Sequence, residues 1–92
     1  MNEKQAWLFI AKQFKEYSLC GHKTQYSTFG MCAAVDRLVI DNHISQSMCD
    51  AMHDKINHYG DTHEVSIPFF WPYRQEYALN RVEVCETFAS QL

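Results

Sequence analysis

Residues 29 to 41 leave the chain few alternatives. Met31, Cys32, Ala33, Ala34, Val35, Leu38, Val39 and Ile40 give a helix here almost no polar side. A helix that is apolar nearly all round normally sits at the centre of a domain. The stretch is far shorter than the ~20 residues of a membrane span, and no other stretch comes closer. It therefore predicts a central helix of a soluble domain, with an N-cap at Ser27 or Thr28. Gly30 in its first turn would let a neighbour or a ligand approach the backbone closely.

The flanking segments have the opposite character, with apolar residues at helical spacing on one face only. Trp7, Ile10, Phe14 and Tyr17 mark a helix over about 3–17. Asn2 and Gln5 are spaced for a reciprocal cap at its start, and Cys20-Gly21-His22 ends the unit. The polar residues 22–28 read as a loop and Asp41-Asn42-His43 as a turn. Ser45 then caps a third helix over about 46–59, with Cys49, Met52, Ile56 and Tyr59 as its stripe and Gly60 as its stop. A fourth helix follows Trp71-Pro72, with Ala78, Val82, Cys85 and Ala89 on one face, widened by Phe88 and Leu92. Glu64 to Ile67 alternates polar and apolar residues, and Pro68 bars it from a central strand. The expected fold is mainly α: one compact domain, residues 1–92, of about four helices, with at most a short extended segment near residues 64–70.

Composition narrows the function classes. With 47% hydrophobic residues the chain is a folded domain rather than a disordered one. Eleven acids against eight bases exclude a general nucleic-acid binder, which carries a basic excess. The charge is uneven, because Lys4, Lys12, Lys15 and Lys23 outnumber the acids of the first quarter while the remainder is acidic. The four cysteines, Cys20, Cys32, Cys49 and Cys85, lack a preceding signal peptide. Three fall on apolar stripes, so buried free thiols in a reducing cytoplasm are expected.

No motif announces catalysis, and the chain is read as a non-enzyme with no cofactor. Cys49 and His53 are four apart, a spacing two metal ligands can use. Without a CxxC or HxxxH pair the plainer reading is a core cysteine and surface histidines, and no metal ligand is assigned. Cys20, beside Gly21 and His22, is the one candidate reactive thiol. Asp50 and Asp54 make an i,i+4 carboxylate pair that reads as a solvated helix face.

The least ordinary stretch is Ile67-Pro68-Phe69-Phe70-Trp71-Pro72-Tyr73, with Arg74 beside it. Ile67 and Phe69 suit a core. Phe70, Trp71 and Tyr73 offer flat faces on which a base can stack. Arg74 and Arg81, seven apart on one side of a helix, offer forked donors that match phosphate. Trp71, Tyr73, Arg74 and Arg81, with Phe70, form the candidate ligand pocket, although composition alone favours the plainer reading that Phe69 and Trp71 plug the core while Arg74 and Arg81 pair with Glu76, Glu83 or Glu86. Lys23, Tyr26 and the Gly30 backbone would contribute from the entrance of the second helix.

The chain also resembles a loose group of small bacteriophage-encoded accessory proteins. The resemblance rests on Gly30-Met31-Cys32-Ala33-Ala34, Ile44-Ser45, Phe70-Trp71-Pro72, and Arg74 with Arg81. It departs from the commoner pattern where Tyr-Arg-Gln-Glu follows Trp71-Pro72 in place of a glycine-bearing linker. The resemblance implies a counter-defence role in the cytoplasm of an infected bacterial host. The leading form is a sponge that binds and sequesters a small nucleotide immune signal without cleaving it, as a homo-oligomer. The alternative is an inhibitor that docks on a host defence complex, as anti-CRISPR proteins do, through its acidic C-terminal portion. A Cys20-dependent enzyme is a third, lesser option.

Overall fold

The first helix begins where side chains can satisfy its free backbone donors. In the computed structural model, which describes residues 1–20, 30–62 and 74–92, Asn2 Oδ1 accepts from the Gln5 N–H at 2.8 Å and Gln5 Oε1 accepts from the Asn2 N–H at 2.9 Å. This is the reciprocal cap expected from the Asn2 and Gln5 spacing. It starts α1 (Glu3–Cys20), which is followed by α2 (Met31–Ile40), α3 (Gln46–Thr62) and α4 (Arg74–Ser90). The fold is mainly α, with no strand among the described residues. The extended segment expected near 64–70 lies outside them.

Burial shows which helices organise the core. Ala6, Trp7, Ile10, Ala11 and Phe14 of α1 are buried in one core cluster with Ala78, Val82, Val84, Cys85, Phe88 and Ala89 of α4. The pairing of α1 with α4 is the most extensive helix–helix contact in the structure. The Trp7 and Phe88 rings lie 4.7 Å apart between centroids, and Tyr59 of α3 meets Phe88 edge-on at 5.8 Å. Glu3 Oε2 accepts from Trp7 Nε1 at 3.1 Å and also from Lys55 Nζ, tying α1 to α3.

The central position expected for α2 is corrected. Only Met31, Ala34, Val35 and Leu38 are buried, and Ile40 is 68% exposed. Among the described residues its main neighbour is α3. One face of α2 is buried, Cys32, Ala33 and Val39 are half-buried beside it, and Ile40 is left exposed. The helix starts at Met31 rather than 29, with Gly30 as its N-cap and no side-chain cap bond. The expected cap positions, Ser27 and Thr28, lie outside the described residues. In α4, Leu92 does not extend the buried face: it follows the helix and is 51% exposed.

The turn between α2 and α3 is chemically specified. Asn42 has φ 61°, a left-handed conformation that asparagine and glycine tolerate. It allows the Asn42 N–H to reach Val39 O at 2.9 Å and the His43 N–H to reach Leu38 O at 2.8 Å. These two bonds satisfy the carbonyls left over at the end of a helix. Ser45 then caps α3, its Oγ accepting from the Met48 N–H at 3.2 Å, as its sequence position implied. Asn42→Val should lower stability by ~1–2 kcal/mol, because a β-branched side chain collides with the backbone at positive φ. Asn42→Gly should not lower it, and urea unfolding of the two variants measures the difference.

Gly60 was expected to stop α3, yet the helix runs through it to Thr62. Glycine's preference for helix ends is a matter of about 1 kcal/mol, which surrounding turns can override. No helix among the described residues is long and apolar enough to cross a membrane.

Candidate functional site

The N-terminus of α2, the second half of α3 and the middle of α4 meet around an open cleft of about 260 Å³. Gly30, Met31 and Cys32 line it from α2, Ile56 and Tyr59 from α3, and Arg81 and Val84 from α4. Its walls are mostly apolar, with one guanidinium and one phenol among them. Arg81 is half-buried, and its Nη1 donates to Asn80 Oδ1 at 2.6 Å.

Two of the residues singled out from the sequence, Gly30 and Arg81, therefore face the same cleft although they are distant in the chain. Arg74 is the first residue of α4, two turns before Arg81. Lys23, Tyr26, Phe70, Trp71 and Tyr73 lie outside the described residues. Cys20 is the last residue of α1.

Gly30 departs from its expected role in one respect. It precedes the first turn of α2 and has φ −60° and ψ 159°, an ordinary extended conformation. A Cβ built on it would meet nothing within 4 Å among the described residues. Among the described residues no neighbouring part of the chain requires glycine there.

The thiols of Cys32, Cys49 and Cys85 are not primed as nucleophiles. Cys32, Cys49 and Cys85 are free, Cys49 and Cys85 are buried, and Cys32 is only half-buried, short of the burial expected from its stripe. Burial pushes the Cys32 thiol up from its ordinary range, and the Asp36 carboxylate adds to the rise. Cys85, beneath Arg81, is pushed up to about 12, chiefly by burial; Arg81 pulls it down and Glu86 adds to it. A reactive cysteine needs the opposite shift.

Sequence reasoning missed Tyr59 and Cys32 as cleft residues. Tyr59 belongs to the apolar stripe of α3 and was assigned to the core on that ground. In fact it is only partly buried and touches both the core, at Phe88, and the cleft. An amphipathic tyrosine at the end of a stripe is the signal that could have marked it. Comparison of the chain with protein-family models, curated proteins and solved structures returns no match.

Proposed function

We propose that this chain is a non-catalytic binding module that sequesters a small nucleotide, and that it serves a bacteriophage as a counter-defence protein. The observation that carries the binding part is the cleft itself: an arginine, a tyrosine and a glycine backbone around walls that are mostly apolar among the described residues. A guanidinium is suited to phosphate and an aromatic ring to a base. At about 260 Å³ the cleft falls just below the ~300 Å³ at which small-molecule pockets begin. It suits one nucleoside portion, with the phosphates toward Arg81 and the start of α4, since a helix N-terminus favours anions. Trp71, Tyr73 and Arg74 would complete the pocket, and a second copy of the chain would close it. The counter-defence role rests on the phage resemblance alone.

A thermal-shift screen against cyclic dinucleotides and ADP-ribose derivatives tests the reading. A ligand at a hundred times its Kd adds about 2.7 kcal/mol, which in a domain of this size raises Tm by roughly 10 °C or more. Arg81→Ala should weaken the same ligand by roughly 10- to 100-fold, the worth of one charge-assisted hydrogen bond. Recovery of the ligand unchanged after incubation is required. No shift with any nucleotide sinks the reading.

One observation favours the alternative of a protein-interaction inhibitor. The outer face of α4 presents exposed Glu83 and Glu86 around Leu79, which is 47% exposed. An acidic face with an apolar anchor suits a basic protein partner. Charge reversal at Glu83 and Glu86 should then abolish counter-defence activity in infected cells while leaving nucleotide binding intact.

A further inference from the structure

The short turn between α2 and α3 brings a second group of side chains together, away from the residues that carry the nucleotide reading. Asp36 stands on α2, and Cys49 and His53 stand one turn apart on α3. His53 Nε2 is 2.9 Å from Asp36 Oδ1. Cys49 Sγ is 3.7 Å from Asp36 Oδ1 and 3.7 Å from His53 Nε2. One carboxylate oxygen, one imidazole nitrogen and one sulfur thus form a small triangle from two helices.

Cys, His and Asp also make up a catalytic relay, and the geometry excludes that role. In a relay the imidazole turns one nitrogen to the nucleophile and the other to the carboxylate. Here the same nitrogen, Nε2, faces both partners. The thiol is also only 2% exposed, out of reach of a substrate. Burial and the Asp36 carboxylate raise its pKa instead of activating it.

Convergence of three donors on one point is what a metal ion requires. Zinc bonds of ~2.0–2.3 Å in a tetrahedral arrangement place neighbouring ligand atoms about 3.3–3.5 Å apart. The observed triangle, at 2.9 and 3.7 Å, matches that to within about half an ångström. A thiolate, a carboxylate and a neutral imidazole together balance a divalent charge. Sulfur and imidazole nitrogen select zinc-class ions over magnesium or calcium. Asp36 and His53 are 55% and 31% exposed at their side chains, so an ion has a path from solvent to the buried sulfur.

We infer that Asp36, Cys49 and His53 form a binding site for a zinc-class divalent transition-metal ion, with a fourth position for water. Binding replaces the Cys49 S–H proton and any proton on His53 by the metal, and these protons leave to solvent. The ion clamps α2 to α3.

Cobalt(II) titration of the whole metal-free chain tests this, with no nucleotide present. The expected result is a near-ultraviolet thiolate-to-cobalt charge-transfer band that saturates at one equivalent and is displaced by zinc. Cys49→Ser should abolish the band. Asp36→Asn and His53→Gln should each weaken binding at least about tenfold, since each removes a direct ligand. Asp36 is on the surface, so Asp36→Asn remains folded, and a metal-free thermal melt verifies this. Absence of the band in the wild-type chain overturns the site. A band that survives Cys49→Ser also overturns it, as does unchanged affinity in Asp36→Asn. The three side chains would then be an ordinary ion pair with a thiol beside it.

Discussion

Trp7→Ala is expected to lose roughly 3–5 kcal/mol of stability, a large part of the ~5–14 kcal/mol that a chain of this length can hold. Trp7 is fully buried, and its ring is a principal link between the two helices that form most of the core, through Phe88 at 4.7 Å. Its indole N–H is satisfied by Glu3, so truncation also removes one hydrogen bond from a carboxylate that still pairs with Lys55. The cavity would open where α1 and α4 hold each other, leaving little for the chain to collapse onto. Leu8→Ala is the control: the adjacent side chain is 46% exposed and should change stability by less than about 0.5 kcal/mol. Urea unfolding of both variants measures the contrast. A Trp7→Ala loss below about 1.5 kcal/mol would contradict the assignment of this ring to the core.

The second large effect is alkaline. Cys85 is fully buried, and its thiol is pushed from the ordinary value of 9.0 up to about 12. Between those two values the unfolded chain has lost the proton and the folded chain keeps it. The folded state then binds more protons, so its stability falls as pH rises. The contribution is fully present below 9.0 and is lost progressively up to about 12. The slope is about 1.4 kcal/mol per pH unit, or ~4 kcal/mol across the window. Cys49, also raised by burial and by Asp36, adds in the same direction. Cys85→Ala should be somewhat less stable than wild type at pH 7 and should lose stability less steeply above pH 9. Denaturant midpoints collected from pH 7 to 11 for both proteins isolate the Cys85 share. Parallel curves would show that this thiol ionises without cost.

What could be read from the sequence divides by range. The Asn2–Gln5 cap, the Ser45 cap and the turn at Asp41-Asn42-His43 were legible because each is decided by residues within a few positions of one another. The faces of α1 and α3 were legible from spacing. Spacing says which side of a helix is buried but not against what, so the pairing of α1 with α4 was not legible. Residue content misled for α2. An apolar surround suggested the centre, yet its helical neighbour among the described residues is chiefly α3, which covers one side. For the cleft, Gly30 and Arg81 were named for the right chemistry. Tyr59, which lies beside them, was hidden in a core stripe. Asp36 was passed over because its partners, Cys49 and His53, lie on another helix, and only the folded turn brings the three together.

The pairing of α1 with α4 has a consequence for how the chain is made. α2 and α3 are joined by a short turn and can form as a local hairpin soon after they emerge from the ribosome. α1 emerges first, but the partner for Trp7, Ile10 and Phe14 is the last of the four helices to be synthesised. Until then an apolar stripe with two large aromatic rings waits without its cover, and such exposed surfaces invite chaperones or self-association. Closure also joins residues far apart in the chain, which slows folding compared with bundles whose neighbours in space are neighbours in sequence. Slow translation through residues 74–90 would lengthen that exposed interval, whereas fast release of α4 would shorten it.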